Sequence, residues 1–152
     1  MSPKTASDIG ARAAAAARGW LGTPYCHQAS RRGVGADCLG LVRGVWRQLY
    51  ACEAEAVPAY GVDWAESGQG GLLAAAMARH LLPAPPGTSC PGDVLLFRLR
   101  PRGPVRHLGV QVTGCANGGH FVHAYSGHGV VESALTQPWR RRLVARFRFP
   151  PV

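Results

Sequence analysis

Cys38 sits in the stretch Gly35-Ala36-Asp37-Cys38-Leu39-Gly40, where a loop containing Gly, Ser and Arg (Ala29 to Ala36) gives way to an apolar-periodic run. Leu39, Val42, Val45, Trp46, Leu49 and Tyr50 then recur at three- and four-residue intervals, the pattern of an amphipathic helix with Cys38 in its first turn. At such a position, unpaired backbone N–H groups and the positive end of the helix dipole favour a thiolate. The placement therefore predicts a lowered thiol pKa and a nucleophilic sulfur. A nucleophile needs a base. His107 opens one β-rich run and His123 lies within the next. If those runs pair as a hairpin, one imidazole reaches the thiol and the other orients it through the remaining ring nitrogen. His120 lies three residues before His123 and so on the opposite face of the strand, which means that only one of the two can face Cys38. His27, His80 and His128 fall where loop or solvent positions are expected.

The elements that must hold these residues follow from periodicity and punctuation. Thr5 is placed to cap a helix from about Ala6 to Leu21, with Ile9, Ala13, Ala16 and Trp20 as its apolar stripe and Gly22-Thr23-Pro24 as its stop. Residues 53–70 are acidic, aperiodic and Gly-containing, which reads as a loop before a third helix near Gly71 to Leu82. The Pro83 to Pro91 segment breaks any continuation. After Pro91-Gly92, short β-rich runs begin at Asp93, His107, His120, Gly129 and Leu143, separated by turn residues. Asp93 itself reads as a turn residue bonded to local backbone. Helices followed by a mostly antiparallel sheet make an α+β domain, and 152 residues without a linker make a single one, residues 1–152.

Composition narrows the classes of partner. The net charge is +9, and it is lopsided: residues 1–76 carry seven basic and six acidic side chains, residues 77–152 ten basic and two acidic. Such a field suits anionic partners, although 16 of the 17 cations are Arg beside abundant Ala, Gly and Pro, a bias that a GC-rich coding sequence also produces. The Trp residues (Trp20, Trp46, Trp64, Trp139) are not interleaved with the Arg clusters, so specific nucleic-acid binding is not expected. The five cysteines (Cys26, Cys38, Cys52, Cys90, Cys115) include no CxxC pair, so neither a disulfide framework nor a structural metal is expected, and no cofactor. No run is long and apolar enough to span a membrane, and no secretory signal is readable at the N-terminus, which leads us to expect synthesis in the cytoplasm.

Five blocks resemble the signature of NlpC-type cell-wall cysteine peptidases, in that family's order: Gly22-Thr23-Pro24-Tyr25, Gly35 to Gly40, Pro91 to Leu95, His107 to Val110, and Phe121 to Ala124. The resemblance implies a papain-like fold and hydrolysis of amide bonds in peptidoglycan stem peptides. It matches Cys38 to the nucleophile, His107 to the base and His123 to the orienting residue, and with strand alternation it selects His123 over His120. It matches Tyr25 to an active-site tyrosine and Asp37 to the acidic residue before the nucleophile, as candidates for holding the substrate's amino group or shaping the cleft. Leu39 stands where many members have Ser, so the bond cleaved is open between endopeptidase and amidase action.

The wording around Cys38, with Gln137 to Leu143 and the closing Phe147-Arg148-Phe149-Pro150, is most similar to the phage-tail and gene-transfer-agent subgroup. That implies a particle component that opens the wall of a recipient cell during DNA delivery, with tail or baseplate proteins as partners. The alternative is a structural tail protein that docks through its basic C-terminal half, with Arg140 to Arg142 as contact or solvated face.

Overall fold

The computed structural model describes residues 3–55, 70–114 and 118–152. Helix α1 (Pro3–Arg18) begins ahead of the expected Thr5 cap, because Pro3 suits the first turn, where its missing N–H would have no partner anyway. The Thr5 side chain lies outside the described residues. The buried stripe of α1 is Ile9, Ala13, Ala14 and Ala17, continued by Trp20, so Ala17 takes the place foreseen for Ala16. The stretch expected as a plain loop before Cys38 forms a small antiparallel hairpin, β1 (Ser30–Arg31) and β2 (Gly35–Ala36), with Gly33 at φ +78° in its turn.

Helix α2 (Cys38–Tyr50) starts at the nucleophile candidate, as its periodicity predicts. It crosses α1 closely because Gly44 has no side chain: a Cβ there would stand 2.0 Å from the Trp20 ring. Trp20 in turn donates its indole N–H to Gln48 Oε1 at 2.9 Å, fixing the rotation of one helix on the other. Helix α3 (Gly70–His80) stops short of Leu82 because Leu82 and Pro83 become strand β3, a two-residue edge. Of the loop expected over 53–70, residues 56–69 lie outside the described residues.

The remaining strands are β4 (Val94–Arg98), β5 (Val105–Thr113), β6 (His120–Tyr125), β7 (Gly129–Ala134) and β8 (Leu143–Arg148). Their order is β3-β8-β4-β5-β6-β7, with every pairing antiparallel. The five β-rich runs supply five of its six strands, β3 is added at the edge, and the domain is α+β with N-terminal helices. One further element, the short helix α4 (Gln137–Arg142), has no apolar period to announce it and joins β7 to β8.

Strand alternation divides the sheet into two faces. Val94, Leu96, Leu108, Val110, Val112, Val122 and Ala124 form one core with α1, α2, Leu73 and Met77. Leu95, Phe97, Phe121 and Leu135 form a second cluster on the other face, covered by Trp139 of α4 and by Leu143. Each fully buried Val, Leu, Phe or Met among them contributes about 1.5–3 kcal/mol. Asp93 is buried at the head of β4, accepting the Cys90 N–H at 2.9 Å, the local turn bond expected of it, together with Arg148 Nε at 3.0 Å and Arg146 Nη1 at 3.3 Å. Two of the C-terminal arginines are thus anchored to the sheet.

Candidate active site

The loop before α2 is tied to the helix start by Asp37. This residue has the extended backbone of an N-cap, and its Oδ1 accepts the Gly40 N–H at 2.7 Å. Oδ2 accepts the Gln28 N–H at 2.8 Å, so one carboxylate, only 3% exposed, clamps the 26–29 turn onto the helix. Gly40 makes the close approach possible, since a Cβ there would lie 1.9 Å from the Ala29 carbonyl oxygen. Ser30 Oγ completes the clamp by donating to the Gly40 carbonyl at 2.6 Å. Tyr25 is held beside this turn by a bridge to Ala36.

Cys38 is half-buried, and its sulfur meets β5 on both sides of His107. The thiol donates to the Arg106 carbonyl at 3.9 Å, and the backbone N–H of Leu108 is directed at the sulfur together with those of Leu39 and Cys38 itself. Among the described residues the thiol's acceptor is that carbonyl and not an imidazole nitrogen.

The two imidazoles are in direct contact. His107 Nε2 lies 2.8 Å from His123 Nδ1, and His123 Nε2 lies 2.9 Å from Ser133 Oγ. His107 sits inside β5, two residues past its start, opposite Phe97 of β4. His123 lies in β6 opposite Val131 of β7. Both rings are buried among aromatics of the second cluster: Trp139 stacks on His107 at 5.7 Å, and Phe121 lies 4.3 Å from His123, centroid to centroid. His120 is exposed at the start of β6, with Nδ1 3.1 Å from Thr113 Oγ1, so alternation separates it from the pair as expected. His128 stacks on Tyr125, and His80 pairs with Glu55 at 2.6 Å.

Burial sets the protonation states. Desolvation pulls His107 down from 6.5 to about 3, helped by His123 and Arg106. Desolvation likewise lowers His123 to about 4, with His128 adding to it. The expected lowering of the Cys38 pKa is reversed. Desolvation, then the Asp37 carboxylate, raise it to about 12, outweighing the backbone N–H groups that pull it down. A helix start lowers a thiol pKa only where neither dehydration nor a neighbouring carboxylate outweighs it. Both directions of shift favour the uncharged thiol and the uncharged imidazoles at neutral pH. Tyr25 is pushed up to about 12 by burial first and by Cys38 and Asp37 next, which sets its phenol within the electrostatic reach of the sulfur.

Ser133 and Trp139 were not singled out from the sequence. For Ser133 a signal existed: the Tyr125↔Gly129 hairpin register pairs Phe121 with Ser133 and puts Ser133 on the diagonal from His123 on the same face. For Trp139 none did, because α4 is too short to show a period.

The NlpC/P60 family model matches residues 22–148. The chain belongs to the NlpC/P60 family. Its fold is similar to the NlpC/P60 domain of the peptidoglycan hydrolase SagA, with a TM-score of 0.64 at 19% identity over 92% of this chain and 98% of that one. An NlpC/P60 family protein from Bacillus cereus ATCC 10987 aligns with a TM-score of 0.64 at 17% identity, and NlpC2 from Trichomonas vaginalis with 0.61 at 23%. Each aligns over 93% of this chain, which spans only 40% and 46% of their respective lengths. No curated protein sequence matches the chain. At these identities the likeness concerns the NlpC/P60 papain-like fold.

Proposed function

We propose that this NlpC/P60 domain is a peptidoglycan hydrolase, a cysteine endopeptidase cutting amide bonds of stem peptides. The observation that carries the reading is the His107–His123 hydrogen bond on a strand whose backbone, on either side of His107, cradles the Cys38 thiol. Membership of a family of cysteine-type cell-wall hydrolases supports it.

In this mechanism His107 uses Nδ1, the nitrogen not engaged by His123, to take the thiol proton as the sulfur attacks the stem-peptide carbonyl carbon. The carbonyl π electrons move to oxygen, and the Cys38 N–H at the helix start stabilises that oxyanion. Collapse breaks the C–N bond, and the His107 imidazolium protonates the departing amine. Water then gives a proton to His107 as it attacks the thioester, and the thiol recovers that proton on release of the acid. His123 holds the base in register. Asp37, with both oxygens committed to backbone, shapes the cleft, and Tyr25 flanks the sulfur on the substrate side.

The subgroup wording around Cys38 and Gln137 to Leu143 supports a particle role, in which tail or baseplate proteins carry the domain to the wall of a recipient cell. Digestion of isolated cell walls followed by mass spectrometry of the soluble fragments tests the first part. The reading predicts new amino termini within the stem peptide. Fragments cut between sugar and first alanine would replace endopeptidase by amidase action, and no release at all would remove the hydrolase reading. For the second part, particles carrying Cys38→Ala should assemble normally and deliver poorly; normal delivery would favour a structural role.

A further inference from the structure

We propose that Ser133 is a positioning residue of this site, whose hydroxyl accepts the last hydrogen bond of a series through both imidazoles and so supports the direction that leaves the base nitrogen of His107 free of a proton. The inference rests on the catalytic reading of the His pair given above.

Two hydrogen bonds run in series, His107 Nε2 to His123 Nδ1 at 2.8 Å and His123 Nε2 to Ser133 Oγ at 2.9 Å. A neutral imidazole has one N–H and one bare nitrogen, so the series has two self-consistent directions. In the outward direction His107 Nε2–H donates to His123, and His123 Nε2–H donates to Ser133. His107 Nδ1 is then bare and able to accept the thiol proton. In the inward direction Ser133 O–H donates to His123 Nε2, and His123 Nδ1–H donates to His107. His107 then carries its proton on Nδ1, where a base is needed, and cannot act.

The cationic step removes the ambiguity. Once His107 has taken the thiol proton, both of its nitrogens carry hydrogen, so His123 Nδ1 must accept, His123 Nε2 must donate, and Ser133 must be the acceptor. Only the outward direction serves the resting base and the imidazolium alike, without any proton on His123 changing nitrogens. A serine hydroxyl suits this duty because its own O–H rotates away from the ring while a lone pair stays on it, and Ser133 is only partly buried, which leaves that O–H open to water. The fold supplies the placement: the β6–β7 register puts Ser133 opposite Phe121, diagonal to His123, on the face where the imidazoles lie. With both rings held neutral by burial, neither imidazole can satisfy the pair by simply binding a second proton at neutral pH.

The test reads the tautomers directly, by 15N and 13C imidazole shifts at pH 7, in the wild-type chain, in Ser133→Ala and in Ser133→Thr. The expected result is the Nε2–H form at both His107 and His123 in the wild type, a mixture of forms in Ser133→Ala, and the wild-type pattern in Ser133→Thr. On cell walls, kcat should fall about fivefold to tenfold in Ser133→Ala, the worth of one hydrogen bond, with KM unchanged and with recovery in Ser133→Thr. A wild-type His107 with its proton on Nδ1 overturns the inference without any variant, and so does an unchanged tautomer pattern in Ser133→Ala. The shifts are measured without substrate. A tautomer pattern that responds to Ser133 in a chain that releases nothing from walls therefore upholds the role of Ser133 in orienting the pair and counts against the hydrolase reading alone.

Discussion

Trp139 lies over His107: its ring stacks on the imidazole with centroids 5.7 Å apart and an interplanar angle of 30°, and it meets His123 edge-on at 5.2 Å. The residue comes from α4, the short helix between the last two strands, and with Tyr125 it is partly exposed at the rim of an aromatic group whose Phe97 and Phe121 are sealed within the sheet's second face. Desolvation is the largest cause of the lowered His107 pKa, and this ring is one of the groups that cover the imidazole. Trp139→Ala should therefore raise the His107 pKa from about 3 back toward 6.5, moving the acid limb of the rate profile upward, which an NMR titration of the imidazole would register. An unmoved titration would mean that the strands alone dehydrate the ring.

Removal of His123 should injure rate more than binding. His123→Ala leaves buried His107 Nε2 without a partner, a cost of about 1–3 kcal/mol in stability, and frees the His107 ring to rotate. We expect kcat to drop at least about tenfold with little change in KM, and His123→Gln, which retains a hydrogen-bonding side chain, to recover part of it. Steady-state kinetics on a stem-peptide substrate separates these effects.

Asp37 carries two opposing consequences. Its carboxylate caps α2 and is also the second cause of the raised Cys38 pKa. Asp37→Asn preserves the shape but removes the charge, so the thiol should become more acidic and alkylate faster with iodoacetamide at a given pH. The same change places an amide N–H toward the Gln28 N–H in place of an acceptor, and should lower stability by about 1–2 kcal/mol. Slower alkylation together with intact stability would contradict both assignments.

The imidazole pair also couples stability to pH. Folded, His107 and His123 are lowered to about 3 and about 4; unfolded, each returns to about 6.5. Between those values the unfolded chain binds more protons than the folded one, so stability rises with pH through this window and is lost as pH falls. Melting temperature should decline from pH 7 to pH 5, and decline less in His123→Gln, which removes one of the two groups. Parallel declines would mean that other groups govern the slope.

Much of this arrangement is legible in the chain. The α2 period placed Cys38 at a helix start, five β-rich runs predicted the sheet around the site, and three-residue spacing separated His120 from His123, all through local periodicities that tertiary packing respected. The thiol's protonation was not legible, because the dehydration that reverses it depends on how closely β5 packs on the sulfur. The strand pairing of Leu82-Pro83 and the α4 helix were also hidden. A two-residue edge and a six-residue Arg-rich helix carry no period, and only the finished sheet gives them a partner. Ser133 was readable in principle from the hairpin register, but only once the pairing of β6 with β7 was fixed.

In the proposed mechanism the Cys38 sulfur forms and releases the acyl bond. Release of soluble fragments from isolated cell walls by the wild-type chain, compared with Cys38→Ala and Cys38→Ser of matched melting temperature, measures this directly. We expect release by the wild type and loss of at least about a thousandfold in both variants. Equal release by all three proteins would contradict it.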